Sequence, residues 1–240
     1  HTIRPDANAM LTLPSGLKMS RGTEVVTFAA RNLEPLRGYH VFMRALEKLQ
    51  HKHKTVHALI VGGDNVSYGK RPKDAQNWRE KMLREVKIDA TRTHFLGRVP
   101  RQQYIKVLQL SAAHVYLTYP FVLSWSLLEA MACGANIVAS DTAPVREVIK
   151  HGENGLLGGF FETDRLVRLM GESLSSDPAQ SHRRTLARLD ATDFSFARGL
   201  QGYGGLLLRR DQDASGQYGE AGSCFFGPAT TNHVLIEERA

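Results

Sequence analysis

The sequence predicts a doubly wound α/β fold, a parallel sheet of about six strands with helices on both faces. Two observations carry the prediction. The candidate strands are short, continuously apolar runs such as EVVTFAA (24–30) and VHALIVG (56–62). A strand that is apolar on both faces belongs inside a parallel sheet. Between these runs lie segments whose apolar residues recur at helical spacing, the alternation that builds βαβ units.

Residues 1–21 are polar and carry Pro5, Pro14 and Gly16, so they read as a linker. EVVTFAA is the first strand. YHVFMRALEKLQ (39–50) is an amphipathic helix with Val41, Phe42, Ala45 and Leu46 on one face. VHALIVG is the second strand, and the charged segment from Asp74 to about Lys87 is a helix. THFLG (93–97) and AHVYLT (113–118) are the third and fourth strands, separated by the helix RQQYIKVLQLSA (101–112). SLLEAMAC (126–133) is the next helix and ANIVAS (135–140) the fifth strand. PVREVIKHG is a short helix, NGLLGGF a sixth strand or a turn, and TDRLVRLMGESLSS (163–176) a further helix. The domain therefore runs over about residues 22–178. Residues 179–210 hold one or two helices, limited by Gly199, Gly202, Gly204 and Gly205. Residues 211–240 are rich in Gly and Ser without a period and read as a loosely ordered tail.

With 42% hydrophobic and 23% charged residues among 240, the chain has the makings of an ordinary globular core. No apolar run approaches the roughly 20 residues that span a bilayer. Cys133 and Cys224 lie far apart in sequence and fit a reducing, cytoplasmic setting better than a disulfide scaffold. The opening HTIRPDANAM has no signal pattern and no initial Met, so the chain reads as a fragment whose upstream part is missing. The formal net charge is +7, with a dense basic stretch between Lys70 and Lys106. Such a surface suits anionic ligands and leaves peripheral contact with an acidic membrane open. Zinc-finger spacing and RNA-recognition aromatics are absent, so nucleic acid is not expected as a partner.

In a doubly wound sheet, ligands bind at the carboxyl ends of the strands. After the first strand, AARNLEPLRG places Arg31 and Arg37 across a turn, with Gly38 opening the helix. Two guanidinium forks at a helix start form a diphosphate clamp, or they are two exposed loop arginines. After the second strand, Gly62-Gly63 permits a tight turn, but the pattern is neither GxGxxG nor GxxxxGK[ST]. That argues against a nicotinamide dinucleotide site and against a P-loop. After the fourth strand, Ser126-Leu127-Leu128-Glu129 fits the S-x-x-E capping box, in which Glu129 reaches back to the helix start. Equally, Glu129 could accept hydrogen bonds from vicinal hydroxyls of a ribose.

Together, AARNLEPLRG, ALIVGGD, HFLGRVP, LLEAMACG and APVREVIKHGENGLL resemble the donor-binding domain of glycosyltransferase family 4, over about residues 23–176. The resemblance implies a Rossmann-like domain, the C-terminal half of the GT-B fold, and a retaining, hexosyltransferase-type enzyme. Its donor is a nucleotide-diphosphate sugar, it needs no metal cofactor, and its acceptor is bound by a separate N-terminal domain. Without that domain, little turnover is expected. Residue by residue, Arg31 and Arg37 are implied to hold the diphosphate and stabilise the leaving group. Gly63 passes its backbone close to the donor, and Val99 contacts the base through its backbone. Leu127 and Leu128 offer amides to the diphosphate, and Glu129 binds the ribose. The family's Glu-x7-Glu pattern is broken here, since Phe121 stands at its first position. Ser124 and Trp125 are then expected to line the sugar pocket, or Trp125 to serve in packing. The departure at Phe121 also admits a non-catalytic nucleotide-sugar-binding module.

Overall fold

In the computed structural model, residues 3–119, 123–175 and 177–194 are described. Six strands form one parallel sheet: β3 (Val25–Asn32), β4 (His57–Gly63), β5 (Thr93–Gly97), β6 (Ala113–Tyr116), β7 (Ile137–Ser140) and β8 (Leu156–Gly158). Their order is β5-β4-β3-β6-β7-β8. The chain winds outward from the centre in one direction and then in the other, so the strand order reverses between β3 and β6. The register there pairs Val26 with Ala113, Thr27 with His114 and Phe28 with Val115.

The apolar runs are buried on both faces, as continuous apolar strands require. Along β4, Ala58 and Ile60 join one core cluster while Leu59 and Val61 join another. On the first face lie α1 (Tyr39–Lys52), α2 (Trp78–Glu85) and α6 (Thr163–Leu174). Val41, Phe42, Ala45 and Leu46 are all buried there, as their spacing predicts. On the other face lie α3 (Arg101–Leu110), α4 (Trp125–Ala132), the short α5 (Ala143–Arg146) and α7 (Pro178–Thr192).

The structure departs from the sequence reading in two places. Residues 1–21, expected to be a linker, contain a hairpin of β1 (Met10–Thr12) and β2 (Lys18–Ser20), paired Leu11 to Met19. Ala9, Leu11, Leu13 and Met19 are buried against Val25, Leu59, Val107 and Leu110. Their every-other-residue spacing is a strand signal that Pro14 and Gly16 masked, and those two residues make the turn. The helix expected over 74–87 is shorter. Asn77 caps it by accepting from the Glu80 amide at 2.8 Å, which sets its start at Trp78. Among the described residues beyond Asp177, one helix, α7, runs from Pro178 to Thr192, within the one or two helices expected over 179–210. The glycines at 199–205, Cys224 and the tail over 211–240 lie outside the described residues.

Candidate functional site

A cavity of about 540 Å³ opens at the carboxyl ends of β3, β4 and β6, where the strand order reverses. Three of its walls are the turn after β3, the loop after β4 and the start of α4, which contribute Arg31 and Arg37, Tyr68, and Ser124 and Ser126. This is where an open α/β sheet leaves a crevice between diverging connections.

The turn after β3 is set by Pro35 and Gly38. Pro35 fixes a single 3-10 turn over Pro35–Arg37, and Gly38 takes a left-handed φ of 70° as the first residue before α1. A Cβ at Gly38 would lie 2.3 Å from the Leu117 Cβ, so only glycine lets the turn approach β6. Arg37 is thereby aimed across the cleft. Its Nη1 donates to Thr118 Oγ1 at 3.2 Å, and its guanidinium lies 5.2 Å from the Tyr68 ring centre. Arg31 is exposed at the end of β3 and lines the same cavity.

Gly63 plays a part other than the one expected. A Cβ there would meet Asn32 Oδ1 at 2.7 Å and Arg98 Nε at 2.8 Å. Its missing side chain is filled by the protein's own Asn32–Arg98 hydrogen bond (3.1 Å), and Gly62 rather than Gly63 lines the cavity. Val99 lines it from the loop after β5.

On the opposite wall, the capping box over 126–129 does not form. The helix begins earlier: Ser124 is the capping residue and accepts from the Ser126 amide at 3.4 Å. Glu129 then sits too deep in the helix to reach the first amides. Instead it pairs with Arg101 at 2.9 Å, with its side chain 17% exposed. Burial, and then the charge of the nearby Glu129, raise the Tyr104 phenol pKa. Leu127 and Leu128 have buried side chains, and the Leu127 amide is taken up by the Ser124 carbonyl at 3.1 Å. Trp125 is 73% exposed, and it does not line the cavity. Phe121 lies outside the described residues.

The cavity thus gathers Arg31, Arg37, Val99 and Ser124 of the expected residues, while Gly63, Trp125, Leu127, Leu128 and Glu129 stand behind or beside it. It also recruits Glu34, Tyr68, Arg98, Tyr104 and Tyr116, which sequence reasoning missed. Tyr104 could have been found, since it lies one helical turn from Arg101. Glu34 could not, because a lone loop carboxylate has no local signature. Tyr116 is buried, and its hydroxyl accepts from the Ser124 amide at 2.8 Å, which anchors the start of α4 to the sheet. Burial raises its pKa, so it stays a neutral phenol. Cys133 is buried and its thiol is pushed up to about 12, first by burial and then by Glu129, so it offers no thiolate nucleophile. Among the described residues, no cluster of three or more His, Cys, Asp or Glu could hold a metal ion.

A cleft at the strand-order reversal, lined by arginines and a helix start, fits a phosphorylated ligand. The family profile of glycosyl transferases group 1 matches residues 18–189. The chain belongs to this family. A D-inositol 3-phosphate glycosyltransferase of Mycolicibacterium gilvum is 26% identical over 194 residues, covering 79% of this chain and 41% of the relative. A phosphatidyl-myo-inositol mannosyltransferase of Mycolicibacterium smegmatis is 32% identical over 163 residues, covering 65% and 38%. The chain therefore spans about two fifths of the length of the curated relatives it matches. Among solved structures, Anabaena HepE in complex with UDP and glucose superposes with a TM-score of 0.66 at 21% identity, over 78% of this chain and 48% of that one. The C-terminal domain of the group 1 glycosyl transferase LpcC from Francisella tularensis gives 0.64 at 15% identity, over 81% and 96%. The fold is that of the GT-B glycosyltransferases. Among the described residues, no helix is long and apolar enough to cross a membrane.

Proposed function

We propose that this chain is the donor-binding part of a retaining glycosyltransferase that moves a sugar, of hexose type, from a nucleoside diphosphate to an acceptor held by another domain. The supporting observation is the cleft at the β3–β6 reversal, where Arg31 and Arg37 face the start of α4. Breaking the bond from the sugar to the diphosphate leaves negative charge on the departing phosphate. Two guanidinium groups and a helix start gathered at the cleft stabilise that charge. The clamp supplies positive charge from side chains, so the reading includes binding without a divalent metal. The ribose falls to Glu129, which exchanges its Arg101 partner for the vicinal hydroxyls. The name of the HepE complex, a neighbour that holds UDP, supports the ligand class.

The reading is tested by titrating the 240-residue chain with UDP, GDP and ADP in the presence of chelator, beside Arg37→Ala and Glu129→Ala. The expected result is one nucleotide preferred, with binding weakened about tenfold or more by Arg37→Ala while the melting temperature holds. Failure of all three to bind overturns the reading. A competing reading, a non-catalytic nucleotide-sugar-binding module, is favoured by Phe121 at the position of the family's first glutamate. Transfer assays on a chain joined to an acceptor domain separate the two, since the module binds donor but does not turn it over.

A further inference from the structure

Glu34 is fully buried beside the cleft, yet no side-chain cation in the described residues pairs with it. Its carboxylate is met by backbone. Oε1 and Oε2 each accept from the Ser67 amide at 3.2 Å, and Oε2 accepts from the Tyr68 and Gly69 amides at 3.1 and 3.0 Å. Three successive amides converging on one anion form the kind of nest that elsewhere cradles a phosphate. Here the protein fills the nest itself. The same residue also starts the turn that carries the cleft arginine, because the Glu34 carbonyl accepts from the Arg37 and Tyr39 amides at 3.2 and 3.3 Å. Asn32 adds a second tie to the same loop, donating to Ser67 Oγ at 2.6 Å.

We infer that Glu34 is a positioning residue for the phosphate clamp: its backbone holds the Arg37 turn, its carboxylate holds the loop over 67–69, and the two together set the Tyr68 ring against the Arg37 guanidinium. Tyr68 is 48% exposed, its own amide donates to the Glu34 carboxylate, and its ring centre lies 5.2 Å from the Arg37 guanidinium, so the anchored loop carries the ring to the clamp. The ring limits the directions open to a long, flexible guanidinium, which lowers the ordering cost when a diphosphate arrives. The charge of Glu34 is satisfied by amides, so it does not compete with a phosphate for Arg37.

The inference rests on the donor-binding reading, and the test keeps the two apart. UDP, GDP and ADP are titrated into the full chain, into Glu34→Gln, Tyr68→Ala and Tyr68→Phe, and into the double variant. Glu34→Gln turns one acceptor into a donor facing amides, so the loop loosens. Hydrogen exchange at residues 67–69 is then expected to accelerate, and nucleotide affinity to fall roughly tenfold. Tyr68→Ala is expected to weaken binding about fivefold, and Tyr68→Phe to bind more tightly than Tyr68→Ala because it keeps the ring. In the Tyr68→Ala background, Glu34→Gln is expected to cost less than about threefold, since both changes remove one arrangement. Full additivity of the two changes, or wild-type affinity in Glu34→Gln, overturns the inference and leaves the donor-binding reading standing. Failure of the wild-type chain to bind any of the three nucleotides overturns both. Should Glu34→Gln not fold, Ser67→Ala removes only the Asn32 tie. Faster exchange at 67–69 with about threefold weaker binding then supports the inference, and faster exchange with unchanged binding refutes it.

Discussion

On the β3 side of the cleft, Glu34 and Asn32 are buried and commit their polar atoms to the loop after β4. On the α4 side, Glu129 meets Arg101, whose side chain is 67% exposed, and Trp125 stands out in solvent. Buried, backbone-satisfied hydrogen bonds hold one geometry, and breaking one strands a polar group away from water. An ion pair with one exposed partner is screened by salt and can be given up to a ligand. One wall is therefore built before any ligand arrives, and the other has partners it can exchange. That division suits a ligand whose phosphates need a fixed clamp and whose ribose must displace a placeholder.

The sharpest way to break the comparison is Gly38→Ala on the rigid wall. A positive φ and a Cβ driven into Leu117 predict a loss of about 3 kcal/mol or more in chemical denaturation. A loss below 1 kcal/mol would show that this wall yields.

The interior of the sheet gives the next largest effect. His114 on β6 is completely buried, and burial lowers its pKa to about 4. Its Nδ1 lies 2.8 Å from Thr27 Oγ1, which in turn lies 2.7 Å from Ser111 Oγ. The folded state holds His114 neutral where the unfolded chain takes up a proton. Its contribution is therefore complete above the ordinary histidine value and is lost as pH falls toward 4. Between pH 8 and pH 5, the wild type should lose on the order of 2 kcal/mol through this group. His114→Asn should flatten that part of the pH–stability curve, and an unchanged curve would assign the loss elsewhere.

On the exchangeable wall the effects are smaller. Arg101→Ala should shift stability by no more than about 0.5 kcal/mol. It should also tighten nucleotide binding roughly threefold at low salt, because Glu129 no longer has a partner to give up. Weaker binding would instead place Arg101 among the groups that hold the ligand. Trp125→Ala should leave stability within about 0.5 kcal/mol, as expected for a side chain that is mostly exposed. A larger drop in thermal unfolding would mean that the α4 wall is better held than it looks.

The strands, the long helices and the position of the cleft were legible in the sequence, because apolar runs and helical spacing are local signals. ALIVGG had to be a buried strand whatever its partners. The hairpin was not legible, because Leu11 and Met19 sit among turn residues and owe their burial to Val25 and Val107 far along the chain. The S-x-x-E motif misled by a shift of register. Ser124 and Ser126 are both competent caps, and the Tyr116 hydroxyl at the Ser124 amide favours the earlier start. Arg31, Arg37 and Val99 line the cavity because Arg31 lies near the carboxyl end of β3 and the other two lie in the connections that leave β3 and β5. Glu34 was invisible because its partners are backbone amides, which every residue except proline carries.

The hairpin bears on how this domain can be cut from a longer chain. The family match begins at residue 18, between the two arms of the hairpin. A protein trimmed at that point keeps Met19 but loses Leu11 and Leu13, and bares the apolar underside of β3, β4 and α3 that they cover. It would also leave β2 as an unpaired edge beside that surface, a combination that invites self-association. The cover of this sheet face reaches back to Ala9, into residues that composition alone would discard as spacer.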